Sequence, residues 1–428
     1  MKDEKYILQS IDSCNTFSDK GWTLDEEGAQ KPSLIRAIYA KKQITVGDIS
    51  EGLYRFEDWL PIQKRLEGSY APVTFKSDGL AQHLGLSNLY ITFSGYWPEK
   101  DIEMSTCSFK ETESYSVAAR LPEDEKRILV VASAGNTARA FAKVCSDNNI
   151  PLLLCVPEDN IDALWFEEPV KDNVKLIAAA SGGDYFDAIH LSNIACEMDE
   201  FIPEGGAKNV ARRDGMGTTT LSAVTHIGKI PEYYFQAIGS GTGAIAAWEA
   251  NIRLIEDGRF GNNKMKLMVS QNMPFHPIYD AWYAESRDML PMDDNQARKD
   301  VEEIIAKVLS NRKPPYPIIG GLFDAMKDAG GEVLLVSNDE LQDAAEIFEI
   351  TEGIDIHPAS AVAVASLMNA VNDHQVDENS LIMLNITGGG EKRFKEENEV
   401  FYLKPNMVFP LNSSKEFIFQ ELKSLFQF

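Results

Sequence analysis

A lysine at the mouth of a helix-patterned segment is the first residue in this chain that could do covalent chemistry. Thr106-Cys107-Ser108-Phe109-Lys110 gives way to the run Glu111 to Arg120, with carboxylates early and an arginine late, as a helix dipole favours. Taken alone, a lysine in such a place is ordinarily a solvated charge. Three other segments change its meaning. Ala132-Ser133-Ala134-Gly135-Asn136-Thr137 follows one strand-like run, Gly239-Ser240-Gly241-Thr242-Gly243 follows another, and Ile386-Thr387-Gly388-Gly389-Gly390 ends a third. An amine able to form a Schiff base, a glycine-rich anion cradle and a neutral hydroxyl for a pyridine nitrogen are together what pyridoxal phosphate chemistry requires.

Each motif also has a plainer use. Gly239, Ser240, Gly241, Thr242 and Gly243 lie between an apolar strand and an alanine-rich helix, where backbone N–H groups can point at a phosphate. Glycines at such a junction also serve simply to make the turn. No lysine follows, so this is not a Walker loop, and Trp248-Glu249 does not suit a dinucleotide unit. Ser133 and Asn136 are good helix caps. In the functional reading, the Asn136 amide meets the cofactor's phenolic oxygen, while Ser133, Ala134, Gly135 and Thr137 receive a substrate carboxylate. Glu204 to Gly215 is a polar, glycine-flanked loop with the adjacent arginines Arg212 and Arg213, suited to holding an oxyanion.

These residues need a scaffold that brings strand ends together. From Lys110 onward, short apolar strands alternate with helical segments, first at residues 111–228 and again at 234–384. That alternation predicts two α/β units with mostly parallel, doubly covered sheets. Leu53 to Pro61 forms an aromatic packing anchor, residues 1–52 show no clear period, and 287–317 reads as an excursion over the surface. At 428 residues the chain is long enough for two domains. Its net charge of -25 disfavours nucleic acid or an anionic membrane as a partner. The five scattered cysteines fit a reducing cytoplasm better than a disulfide framework or a thiolate metal site. The first residues lack a signal peptide's apolar core, and no apolar run is long enough to span a bilayer.

In this order the motifs resemble the fold-type II pyridoxal phosphate enzymes, and most closely the threonine synthase-like group. Ser108-Phe109-Lys110 matches the lysine motif, Ser133 to Thr137 the asparagine loop, Gly239 to Gly243 the phosphate site, and Thr387 the hydroxyl facing the pyridine nitrogen. Asn209, Arg212, Gly215 and Thr218 match the spacing of a loop whose asparagine and arginine hold a substrate phosphate. The longer stretches Leu53 to Pro61, Phe93 to Pro98, Asn209 to Gly217 and Gln236 to Trp248 are similar to the cysteate synthase family.

That resemblance implies a two-domain, tryptophan synthase β-like fold. It divides the chain into an N-terminal extension (1–52), a large domain (53–109 plus 235–428) and a small mobile domain (110–234). It implies replacement at the β-carbon of O-phospho-L-serine by sulfite, with pyridoxal phosphate and Lys110 as base, in a cytoplasmic homo-oligomer, a dimer or a trimer. Threonine synthase, a serine or threonine dehydratase and a non-catalytic cofactor-binding protein are the alternatives. Relatives often carry an N-terminal cysteine cluster; only Cys14 stands here, so no metal is expected. Gly217 occupies the place of a lysine that threonine synthases keep, which argues against phosphohomoserine. Lys76, Arg36, Arg213 and His357 are the candidates for holding the incoming anion.

Overall fold

The computed structural model describes residues 4–133 and 135–428. The larger of two central sheets has six strands in the order Glu332–Val336, Lys266–Asn272, Tyr233–Ala237, Leu381–Ile386, Asn88–Phe93 and Val73–Lys76. All neighbours are parallel except the last pair. The smaller sheet orders Phe201–Pro203, Ile128–Ala132, Leu152–Pro157, Val174–Ala179 and Met407–Phe409, parallel throughout. Each sheet has a hydrophobic cluster on either face. That explains strands such as Leu152–Pro157, buried at every position, where a one-sided sheet would alternate. No helix among the described residues is long and apolar enough to cross a membrane.

Residues 1–52 hide a small antiparallel sheet of Tyr6–Ser10, Thr16–Phe17 and Ile35–Tyr39. Two of its strands alternate buried with half-buried positions over only five residues, too short for their period to stand out. Two further corrections concern the domain limits and the excursion. Met407–Phe409 pairs in parallel with Val174–Ala179, and the terminal helix Lys415–Phe426 buries Ile418 and Leu422 with that sheet. The chain's end therefore joins the small sheet, not the large one. The 287–317 stretch contains a helix, Asp294–Glu303, and then runs inward to wall the cavity described below.

Four helices position the site. The lysine helix, Lys110–Arg120, is buried from Glu111 onward. The asparagine helix spans Asn136–Asp147, the arginine helix Val210–Ile227 and the glycine-turn helix Thr242–Asp257. Arg120, fully buried, pins three segments at once. It donates to Asp19 at 2.8 and 3.1 Å, to the Thr23 carbonyl at 2.9 Å and to Asn209 at 2.8 Å.

Burial raises the Asp19 carboxyl, but Arg120 and the donors Tyr6 and Thr23 outweigh it, so the group lies below its ordinary value. A depressed carboxyl stabilises the fold above its unfolded value and loses that contribution as pH falls through its folded one. Asp19→Asn should therefore cost about 3–5 kcal/mol at neutral pH by leaving a buried guanidinium without its counter-charge. In urea titrations that difference should shrink below about pH 4; a difference that stays constant would show that Asp19 contributes no charge.

Candidate active site

The lysine reaches its place because the segment before it pairs with the end of a large-sheet strand. Ser108 bridges Gly388, the Phe109 N–H donates to the Thr387 carbonyl at 2.9 Å, and the Gly389 N–H donates to the Cys107 carbonyl at 3.1 Å. This approach needs glycine: a Cβ at Gly388 would lie 2.3 Å from His357 Nδ1 and 3.0 Å from the Cys107 carbonyl. Thr387, 9% exposed, thus stands beside the start of the lysine helix.

Lys110 walls a cavity of about 590 Å³. Ser133, Gly135, Asn136 and Thr137 line one side, Ser240 and Thr242 another, and Tyr185, Lys208 and Arg212 a third. Ala134 lies outside the described residues. The glycine-turn helix starts at Thr242 with Gly241 as its cap at φ +76°, and no side chain caps it. The Thr242 N–H makes a long bond of 3.3 Å to Ser240 Oγ, and the helix N-terminus beyond it is a place where an anion is favoured. Glycines hold this turn close to its surroundings: a Cβ at Gly239 would meet Leu309 Cα at 2.9 Å, at Gly241 Leu322 Cδ2 at 2.6 Å, and at Gly243 Gln236 Nε2 at 2.6 Å. Pyridoxal phosphate fits these residues. Its phosphate suits the glycine turn, its aldehyde the Lys110 amine and its ring nitrogen the Thr387 hydroxyl.

The cavity's charge is unlike that of the chain. Among the described residues its lining holds Lys110, Lys208, Arg212 and Lys313, and no carboxylate. The carboxylates stand one layer behind. Glu113, fully buried, places Oε2 3.3 Å from Lys110 Nζ and Oε1 3.1 Å from both Arg212 Nη2 and the Thr137 hydroxyl. Glu204 takes the other end of Arg212, Oε2 to Nη1, at 2.6 Å. Burial holds the Lys110 amine below its usual range, with Arg212 adding to the effect and Glu113 opposing it. Burial likewise raises the Glu204 carboxyl against the pull of Arg212. Burial works against the Arg212 charge, but the two carboxylates more than offset it.

Not every candidate residue meets the cavity. Arg212 does, but from the first turn of a helix and not from a loop. Asn209 is that helix's N-cap. Its oxygen accepts from the Ala211 N–H and from Arg120, and its amide donates to the Glu204 carbonyl at 2.7 Å, all fully buried. It positions the arginine helix and does not face the cavity beside Arg212. Arg36 and Arg213 both pair with Glu249, His357 pairs with Glu391, and Lys76 ends an edge strand; none lines the cavity. Lys208 and Lys313 stand there instead.

Sequence reading passed over Glu113, Glu204, Tyr185, Lys208 and Lys313. Glu113 was within reach, because a residue three along a helix shares the lysine's face. Lys313 sits in the stretch read as a surface excursion, its amine 4.4 Å from the Phe186 ring centre.

Residues 74–388 match the model of the pyridoxal-phosphate dependent enzyme family. The chain is 48% identical to a cysteate synthase of Methanosarcina acetivorans over 88% of its own length and 90% of that protein's. It is 47% identical to a cysteate synthase of Methanocella paludicola over 94% and 93%. Among solved structures, maize serine racemase superposes with a TM-score of 0.56 at 14% identity, covering 75% of this chain and 89% of the racemase. A threonine deaminase of Solanum lycopersicum gives 0.51 at 17%, covering 79% and 95%. These two distant likenesses show the fold alone.

The glycine turn is testable directly. Gly241→Asp and Gly241→Ala share the strain of a side chain at positive φ, but only the first adds a carboxylate where a phosphate would sit. Gly241→Asp should retain far less cofactor after dialysis than Gly241→Ala, read by visible absorbance. Equal retention would refute the cradle.

Proposed function

The chain belongs to the pyridoxal-phosphate dependent enzymes and, within them, to the cysteate synthases, and on that premise we propose that it converts O-phospho-L-serine and sulfite to L-cysteate and phosphate. The observation that carries the substrate reading is a cavity whose lining, among the described residues, holds four cations and no carboxylate in a chain of net charge -25. Both reactants are strongly anionic, and a site of this polarity gathers them against the field of the whole molecule.

When bound, the cofactor supplies an electron sink that acidifies the substrate's Cα proton. The protein's own residues do the rest. Asn136 and Thr137, at the start of the asparagine helix, receive the substrate carboxylate on backbone N–H groups. Lys110, its proton affinity lowered by burial, takes the Cα proton and later returns it. Arg212 holds the phosphate and draws off charge as the Cβ–O bond breaks, and sulfite then bonds through sulfur to the same carbon. Thr387 would offer the cofactor's ring nitrogen a neutral hydroxyl, which cannot protonate it as a carboxylate-backed partner would; that suits elimination better than transamination. A cytoplasmic homo-oligomer belongs to the same reading, and the five free cysteines suit a reducing compartment.

Phosphate release from phosphoserine, with and without sulfite and with phosphohomoserine as the comparison, tests the substrate. Arg212→Gln should lower kcat/KM for phosphoserine by about tenfold to several hundredfold, the loss of a charged hydrogen-bond pair. It should change turnover of O-acetylserine little, since that ester brings no dianion. If both substrates suffer equally, Arg212 is structural and the phosphoserine assignment loses its residue-level support.

A further inference from the structure

Four charges stand in a row at the cavity wall, the two cations lining it and the two carboxylates behind: Lys110, Glu113, Arg212 and Glu204, with successive contacts of 3.3, 3.1 and 2.6 Å. They come from three separate segments. Lys110 and Glu113 share a helix, Arg212 opens another, and Glu204 follows the small sheet's edge strand, where its N–H bonds the Val130 carbonyl at 3.0 Å. With all four ionised the row is neutral. Both terminal nitrogens of Arg212 are engaged within it: Nη1 serves Glu204 and Nη2 serves Glu113, while the buried Nε has no partner. A substrate dianion therefore meets an arginine whose terminal nitrogens already hold two carboxylates. Glu204 is held by the Gly206 N–H at 2.9 Å. Glu113 is the more replaceable of the two, because its other oxygen already touches Lys110.

We infer that Glu113 is an internal competitor for the anion face of Arg212, displaced by the leaving phosphate of a dianionic substrate and then left with Lys110 as its only charged partner and the Thr137 hydroxyl as its donor. The inference rests on the phosphoserine reading and extends it. A neutral ester does not displace Glu113, so the residue sets a threshold that favours dianionic leaving groups. Displacement also couples the two ends of the row, since neutralising Arg212 and leaving Glu113 with the lysine as its only charged partner both raise the lysine nitrogen's proton affinity. The charged groups facing that nitrogen are Glu113 on its own helix, Arg212 on the arginine helix and Glu204 behind it. The Phe109 ring centre lies 4.7 Å away, and Tyr185 faces Arg212.

The test is an absorbance titration of the cofactor-loaded enzyme with pH and with inorganic phosphate, which reads the lysine nitrogen without turnover. In the wild type, saturating phosphate should raise the pH midpoint by about one unit, the usual scale for a charge added at this range. Glu113→Gln should start from a lower midpoint and bind phosphate about tenfold more tightly, because a like charge has left the anion's side. A merely structural glutamate would give the opposite, weaker binding in a loosened site. Glu113→Asp keeps the charge but shortens the bridge, and should fall between the two in both readings, so the inference stays testable if the glutamine variant folds poorly. Arg212→Gln should abolish the phosphate response. An unchanged midpoint in Glu113→Gln, or phosphate affinity equal to or below that of the wild type, overturns the inference. If phosphoserine proves not to be a substrate while the phosphate response still depends on Glu113, only the substrate reading fails. If phosphoserine is turned over with no dependence on Glu113, the inference alone fails.

Discussion

The contact between Glu113 and Arg212 ties the chemistry of this protein to its architecture. A buried carboxylate on the lysine helix meets a guanidinium on the next long helix, and the residue beyond, Glu204, belongs to the rim of the small sheet. Buried charges are tolerated only where each has a partner of opposite sign, and here Glu113 finds Arg212 on another helix. The pair thus fixes how the lysine helix, the arginine helix and the small sheet's edge sit against one another. It also sets the electrostatic conditions around Lys110.

A second constraint places that row in front of a cofactor site. Residues 107–109 run beside 387–389 at a separation only glycine permits, so the lysine and Thr387 arrive together from distant parts of the sequence. From the opposite wall the glycine turn presents an uncapped helix end. On the far side of the lysine helix, Arg120 joins Asp19 and Asn209, so the same helix that offers the lysine at its start anchors the N-terminal segment at its end. Positioning and stability are carried by one element, and for that reason all of it beyond Lys110 is buried.

Much of this was legible in the residues. The alternation of apolar strands with helices gave the two parallel sheets, because a strand covered on both faces must be apolar throughout. The glycine turn, Lys110, Asn136 and Thr387 could be proposed from the residues because their motifs are local in sequence. The rest depended on tertiary contact. The N-terminal strands are too short to show a period, and the final strand pairs across more than two hundred residues with Val174–Ala179. Asn209 was read as an anion donor from its distance to Arg212, yet three residues before an arginine is also where a helix cap stands. Lys313 is a surface lysine by composition and a cavity cation by topology.

The claim on which the account turns is that Arg212 exchanges an internal carboxylate for a substrate anion. A crystal structure of the cofactor-loaded protein soaked in inorganic phosphate examines it directly. The account expects the anion on Arg212, with Glu113 Oε1 withdrawn from the guanidinium and the carboxylate retained at residue 110. An intact Glu113–Arg212 pair with phosphate bound elsewhere in the cavity would contradict it.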